Sequence, residues 1–128
     1  MTKKTILVVE DHLSLLVGIQ EFLEMEGYAA HTALDGAAAL GILESVEPDL
    51  ILADIRMPNL DGYALYRTVR ERPDLRSVPF IFLTAKGERS LEIPDDMRDA
   101  DYVSKPFNMG ELLALIHQRL GEEPAASR

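Results

Sequence analysis

The sequence predicts an α/β domain: a parallel sheet with helices packed on both faces. Three observations carry that reading. Ile6-Leu7-Val8-Val9, Leu50-Ile51-Leu52-Ala53 and Phe80-Ile81-Phe82-Leu83 are apolar runs without alternation, the mark of strands buried on both sides. Between them lie segments whose apolar residues recur at helical spacing. Strands that alternate with helices in this way are joined by right-handed crossovers into a parallel sheet.

Thr5 to Glu10 reads as the first strand, ending on the acidic pair Glu10-Asp11. The first helix follows over His12 to Glu26, with Leu15, Ile19, Phe22 and Leu23 facing inward and Gly27 ending it. Tyr28 to Ala33 is a weaker strand of small residues, placed at or near a sheet edge. Asp35 caps a second helix whose inner face is Ala39, Leu40 and Leu43, and Pro48 closes that unit. The third strand runs to Asp54, and Met57-Pro58 stops it, because proline donates nothing to a ladder.

Asp61-Gly62 opens the third helix, with Leu65, Tyr66 and Val69 inward and Pro73 at its end. Pro79 precedes the fourth strand, which finishes on Thr84-Ala85. Tyr102-Val103-Ser104 is the fifth strand, followed by Lys105-Pro106. Asn108 caps the last helix with Glu111 as capping partner; Leu112, Leu113, Ile116 and Leu120 face the core, and Gly121 stops it. Pro94 interrupts the segment from Lys86 to Asp101, so a short, kinked or irregular fourth helix is expected there. Met25, Met57, Met97 and Met109 read as packing residues.

The 128 residues suffice for one domain with a sizeable core. Residues 1–121 form that domain, and 122–128 read as a polar tail or the start of a linker. The chain is then a stand-alone domain or a piece of a longer protein. No apolar run approaches a membrane span, and no signal-peptide pattern is present. The absence of cysteine excludes disulfides and thiolate metal sites and fits a cytoplasmic location. A net charge of -9 argues against direct nucleic-acid binding, and it leaves acids free to hold a hard divalent cation.

Parallel strands bring their carboxyl ends to one edge, where open α/β sheets bind ligands. That edge collects Glu10, Asp11, Asp54, Thr84 and Lys105. Three carboxylates there repel one another unless positive charge sits between them. Lys105 supplies one charge and Mg²⁺ is the natural second, bound by Glu10, Asp11, Asp54 and the backbone carbonyl of Arg56. Asp54 is then a nucleophile for phosphoryl transfer. The Lys105 ammonium neutralises the transferred group, and the Thr84 hydroxyl donates to one of its oxygens. Asp61 is left out, since capping alone explains it. His12, His31 and His117 show no ligand spacing.

Val9-Glu10-Asp11, Asp54-x-x-Met57-Pro58-x-x-Asp61-Gly62, Thr84-Ala85 and Asp101-Tyr102-x-x-Lys105-Pro106-Phe107 come in an order that resembles the receiver domains of two-component response regulators, the CheY-like family. The resemblance covers nearly the whole chain. It implies a flavodoxin-like (βα)5 three-layer sandwich with strand order 2-1-3-4-5. It also implies a phosphorelay role in which Asp54 takes a phosphoryl group from a sensor histidine kinase or phosphotransfer protein, in a Mg²⁺-dependent reaction. The domain would catalyse its own phosphorylation and hydrolysis without being a conventional enzyme. Thr84 and Tyr102 are implied as the switch: Thr84 moves toward the phosphoryl group, Tyr102 turns inward, and the face of the fourth helix, fifth strand and last helix changes for an output partner or a second copy.

Two departures from the family pattern stand out, Pro94 and the long cation Arg56. Arg56 and Lys86 are expected to tune the lifetime of the phosphorylated state. One alternative is a receiver-like interaction domain that no longer uses phosphate, which departures at the acids, Thr84 or Lys105 would favour. A flavin carrier of similar topology wants a phosphate-cradling loop where Glu10-Asp11-His12 stands, and an aspartyl phosphatase wants a second acid where Arg56 stands.

Overall fold

The computed structural model describes residues 3–84, 94–97 and 100–121. The strands are β1 (Thr5–Val9), β2 (Ala29–Ala33), β3 (Leu50–Asp54), β4 (Phe80–Thr84) and β5 (Asp101–Ser104). Among the described residues the helices are α1 (Leu13–Met25), α2 (Gly36–Leu43), α3 (Gly62–Glu71) and α4 (Met109–Leu120), with a 3-10 turn at Asp95–Met97. All strand pairs are parallel and the order is β2-β1-β3-β4-β5. This is the flavodoxin-like order implied above. It puts β3 at the centre, where every one of its residues is buried, and leaves β2 and β5 as half-buried edges.

The unbroken apolar runs are explained by the pleat, which sends successive side chains to opposite faces. Leu7, Val9, Ile51, Ala53, Phe80 and Phe82 pack with Ala39 and Leu43 of α2 and Leu65, Tyr66 and Val69 of α3. Ile6, Val8, Leu50, Leu52, Ile81 and Leu83 pack with Leu16, Ile19 and Leu23 of α1 and Leu112 and Ile116 of α4. With a helix layer on each face, no position along the central strands is free to be polar until the strand ends.

Helix starts follow the caps expected from sequence. Asp35 accepts from the Ala38 N–H at 2.7 Å, Asp61 from Ala64 at 2.9 Å, and Asn108 from Gly110 at 2.7 Å. α3 ends before Pro73, whose ring forces Arg72 into an extended conformation (φ -89°, ψ 123°). Two expectations need correction. The inner face of α1 is Leu16, Ile19 and Leu23, with Leu15 and Phe22 only partly buried. Met25 is 82% exposed at the end of α1 and packs into no core, whereas Met97 is fully buried.

Of the expected irregular segment, Pro94–Met97 and Ala100–Asp101 are described. The Met97 N–H closes the 3-10 turn on the Pro94 carbonyl at 2.9 Å. The other residues between 85 and 99, Lys86 included, and the tail 122–128 lie outside the described residues. Among the described residues no helix is long and apolar enough to cross a membrane.

One backbone contact fixes how α3 enters. The Gly62 N–H donates to the Ile55 carbonyl at 2.8 Å, and a Cβ at Gly62 would collide with the Asp54 carbonyl oxygen. Gly62→Ala is therefore expected to destabilise the fold by about 1–3 kcal/mol. Gly41→Ala, inside α2 with open space around it, should stabilise it by about 0.5–1 kcal/mol. Urea unfolding of both variants tests this; a Gly62→Ala midpoint equal to wild type would contradict the close packing.

Candidate functional site

Register assembles the site. Val9 pairs with Ala53, so Glu10 follows β1 beside Asp54 at the end of β3. Leu83 pairs with Asp54, which puts Thr84 one step further along β4. Thr84 pairs with Ser104, and Lys105 comes next, its N–H donating to the Thr84 carbonyl at 2.7 Å. Four strand ends thus deliver Glu10, Asp54, Thr84 and Lys105 to one rim.

Lys105 joins the acids. Its Nζ donates to Asp54 Oδ2 at 2.8 Å and to Glu10 Oε1 at 2.9 Å. The Glu10 side chain is fully buried and Asp54 only 7% exposed. Main-chain donors complete the carboxylates: His12 N–H to Glu10 Oε2 at 3.0 Å, and Arg56 N–H to Asp54 Oδ1 at 3.2 Å. Asp11 is exposed, yet it brings an oxygen within 4.8 Å of oxygens of Glu10 and Asp54. Glu10, Asp11 and Asp54 are the acids expected from sequence, and the structure brings them together. An all-oxygen cluster beside open solvent suits a hard cation such as Mg²⁺, which keeps several waters.

Burial is the main force on Glu10, and it pushes its pKa above the ordinary 4.5. The Lys105 and His12 hydrogen bonds pull it down, and the Asp54 charge adds to the rise. For Lys105, burial works to lower the pKa, but the hydrogen bonds and charges of Asp54 and Glu10 outweigh it and hold the value above 10.5. Lys105 is therefore a cation at neutral pH.

Thr84 is fully buried, and its Oγ1 has no hydrogen-bond partner among the described residues. A buried hydroxyl in that condition costs about 1–3 kcal/mol. It offers a donor to an oxygen-rich group arriving at Asp54, so the residues fit a phosphoryl group as well as a cation. Thr84 continues the alternation of Phe80 and Phe82 and so shares the face on which Tyr102 packs. Tyr102 is already turned onto that face. Its ring stacks on Phe82 at 5.1 Å and its hydroxyl donates to the Met97 carbonyl at 2.8 Å.

A comparison with protein-family models matches residues 6–117 to the response regulator receiver domain. The chain belongs to that family. Receiver domains are parts of two-component systems that interact with histidine kinases and output domains, and Mg²⁺ binding and phosphorylation are typical of the family. It is 40% identical to the phosphate regulon transcriptional regulatory protein PhoB of Rhizobium meliloti, over 90% of this chain and 51% of that protein. The chain spans about half the length of the curated relatives it matches. Among solved structures, the receiver domain of the Pseudomonas aeruginosa sensor histidine kinase PA1611, with a magnesium ion in its active-site cleft, matches with a TM-score of 0.82 at 34% identity, covering 94% of this chain and 100% of that one. Chemotaxis response regulator CheY4 of Vibrio cholerae matches with a TM-score of 0.84 at 27% identity, covering 92% and 99%.

Sequence reasoning missed Gly62, although the Asp61-Gly62 pair was in view. Asp61 does cap α3, outside the carboxylate cluster, whereas Gly62 lets the helix start pass against the Asp54 main chain. It also missed the N–H groups of His12 and Arg56, for which sequence carries no signal.

The raised pKa of Glu10 in the receiver domain has a testable sign. A carboxyl that binds its proton more tightly folded than unfolded adds stability that is full below 4.5 and is lost as pH rises through the folded value. In EDTA, wild type should therefore gain stability relative to Glu10→Gln as the buffer goes from neutral to about pH 5. A stability difference that stays flat or moves the other way, in urea titrations, would contradict this environment for Glu10.

Proposed function

We propose that Asp54 is the phosphoacceptor of this receiver domain. The observation that carries the reading is the clamp on its carboxylate: Lys105 Nζ at 2.8 Å, inside a cluster with Glu10 and Asp11. An Asp54 oxygen attacks the phosphorus of a kinase phosphohistidine. The O–P bond forms as the N–P bond breaks, and the histidine nitrogen keeps the electron pair and takes up a proton. Lys105 turns its ammonium from the free carboxylates to the phosphoryl oxygens, and the Thr84 hydroxyl donates to one of them. Glu10, Asp11 and Asp54, with the Arg56 carbonyl, would hold Mg²⁺, which when bound supplies positive charge against the phosphoryl oxygens.

Hydrolysis of the acyl phosphate by water on the same site resets the domain, so the domain catalyses both its loading and its own reset. Arg56, exposed two residues after Asp54, tunes access of that water together with Lys86. An apolar groove of about 530 Å³, lined by Leu15, Phe107 and Met109 with Lys105 at its edge, supports approach of a protein donor rather than a small molecule alone. The switch runs from Thr84 through the ring of Tyr102, and it alters the surface of β5, α4 and the segment before β5. An output partner, or a second copy of the chain, reads that surface. The transcriptional relatives support an output in gene regulation. The absence of cysteine supports a cytoplasmic location.

Phosphate-independent signalling is not favoured, because each residue the chemistry needs is present. Incubation with acetyl phosphate and Mg²⁺ followed by intact mass is expected to show one added phosphoryl group. That group should be absent in Asp54→Asn and absent when EDTA removes the metal. Asp54→Asn modified to the wild-type level would end the assignment.

A further inference from the structure

The loop between β3 and α3 carries the Arg56 main chain, and its shape is imposed from outside. The Leu60 N–H donates back to the Pro58 carbonyl at 2.7 Å, a three-residue γ-turn with Asn59 at its centre and φ at +69°. A γ-turn with positive φ is rare and strained, and a residue other than glycine rarely adopts that φ. The neighbouring crossover holds it. Asn59 Nδ2 donates to Asp35 Oδ2 at 2.7 Å, while Asp35 Oδ1 caps α2 through Ala38. The Gly36 N–H donates to the Leu60 carbonyl at 3.1 Å, so close that a Cβ at Gly36 would overlap the Leu60 oxygen. At its far end the loop is pinned by Gly62 on Ile55, and near its start the Arg56 N–H rests on Asp54 Oδ1. Both bonds to Asp35 lower its pKa, so the anchor is ionised at neutral pH.

We infer that Asp35 and Asn59 are positioning residues for the acceptor pocket: their side-chain bond holds the strained 55–61 loop in the shape that keeps the Arg56 main chain against the Asp54 carboxylate. The inference rests on the reading of Asp54 given above. Neither residue touches the reacting atoms. They act by fixing where the main chain at Arg56, whose carbonyl is assigned to the cation, stands relative to the acids. Partners one step removed from a metal site commonly change affinity or activity about 10–100-fold.

Three variants separate this from plain structural support. Asn59→Gly removes the bond but tolerates the positive φ. Asn59→Asp sets two carboxylates against each other. The exchange Asp35→Asn with Asn59→Asp restores one donor facing one acceptor, with the net charge unchanged and an asparagine still able to cap α2. Magnesium affinity by calorimetry on metal-free protein, amide exchange at Leu60, and phosphoryl uptake from acetyl phosphate are measured for each.

Both single variants should bind Mg²⁺ about tenfold more weakly, exchange the Leu60 amide faster and load more slowly. The double exchange should return all three toward wild type. Added negative charge alone would strengthen Mg²⁺ binding in Asn59→Asp, so a loss there reads geometry. Single variants with wild-type Mg²⁺ affinity and loading, whatever their unfolding midpoints, would overturn the positioning role while Asp54 chemistry stands. A wild-type chain that takes up no phosphoryl group would overturn the reading of Asp54, and this inference with it.

Discussion

The ammonium of Lys105 lies between two carboxylates drawn from strands 95 and 51 residues away in sequence. Nothing else in the described structure holds the Glu10 and Asp54 charges together so directly. Glu10 is fully buried and Asp54 nearly so, and bringing two carboxylates together out of water is costly without a positive partner. The clamp supplies that partner to both, and its hydrogen bond pulls against the burial that raises the Glu10 pKa. It depends on sheet order: β1 must neighbour β3, and β5 must stand one strand beyond β4. Each helix layer contributes indirectly, by burying the central strands β1, β3 and β4 so thoroughly that their only polar positions are at the ends.

The rim is also where the fold accepts unfavourable features. A buried hydroxyl at Thr84 has no partner among the described residues, Glu10 is desolvated, and Asn59 sits at a positive φ. Each would be removed if stability alone mattered. All three lie at or beside the same strand ends and loop. A phosphoryl group and a cation would satisfy the first two, and the Asp35 anchor holds the third. Concentration of strain in one place, against a core of regular packing elsewhere, is what a site carrying chemistry requires.

Much of this was legible in the sequence for a simple reason. Strands covered on both faces are apolar at every position, so Leu50 to Ala53 announces both its burial and its end at Asp54. Caps such as Asp35 and Asn108 act within a few residues and are read locally. Strand order is different: no local signal in β2 says that it pairs with β1, and the family resemblance supplied it. Periodicity leaves Leu16 out of the inner face of α1 and does not show that Leu15 and Phe22 pack only at its margin, because it marks a face and only packing decides how wide that face is. The chemistry of Met25 suits packing, but its position at a helix end leaves it in solvent. Gly62, the main-chain donors at His12 and Arg56, and the Asp35–Asn59 bond are contacts between backbones or across crossovers, and such contacts leave no pattern along the chain.

The Lys105 ammonium sits on the same Glu10 and Asp54 carboxylates that a cation would share, so the two positive charges oppose each other there. Mg²⁺ titration of Lys105→Met beside wild type measures this most directly. With the competing ammonium gone, the acids face the metal unopposed, and Lys105→Met should bind Mg²⁺ more tightly. Unchanged or weaker binding by a folded Lys105→Met protein would contradict it.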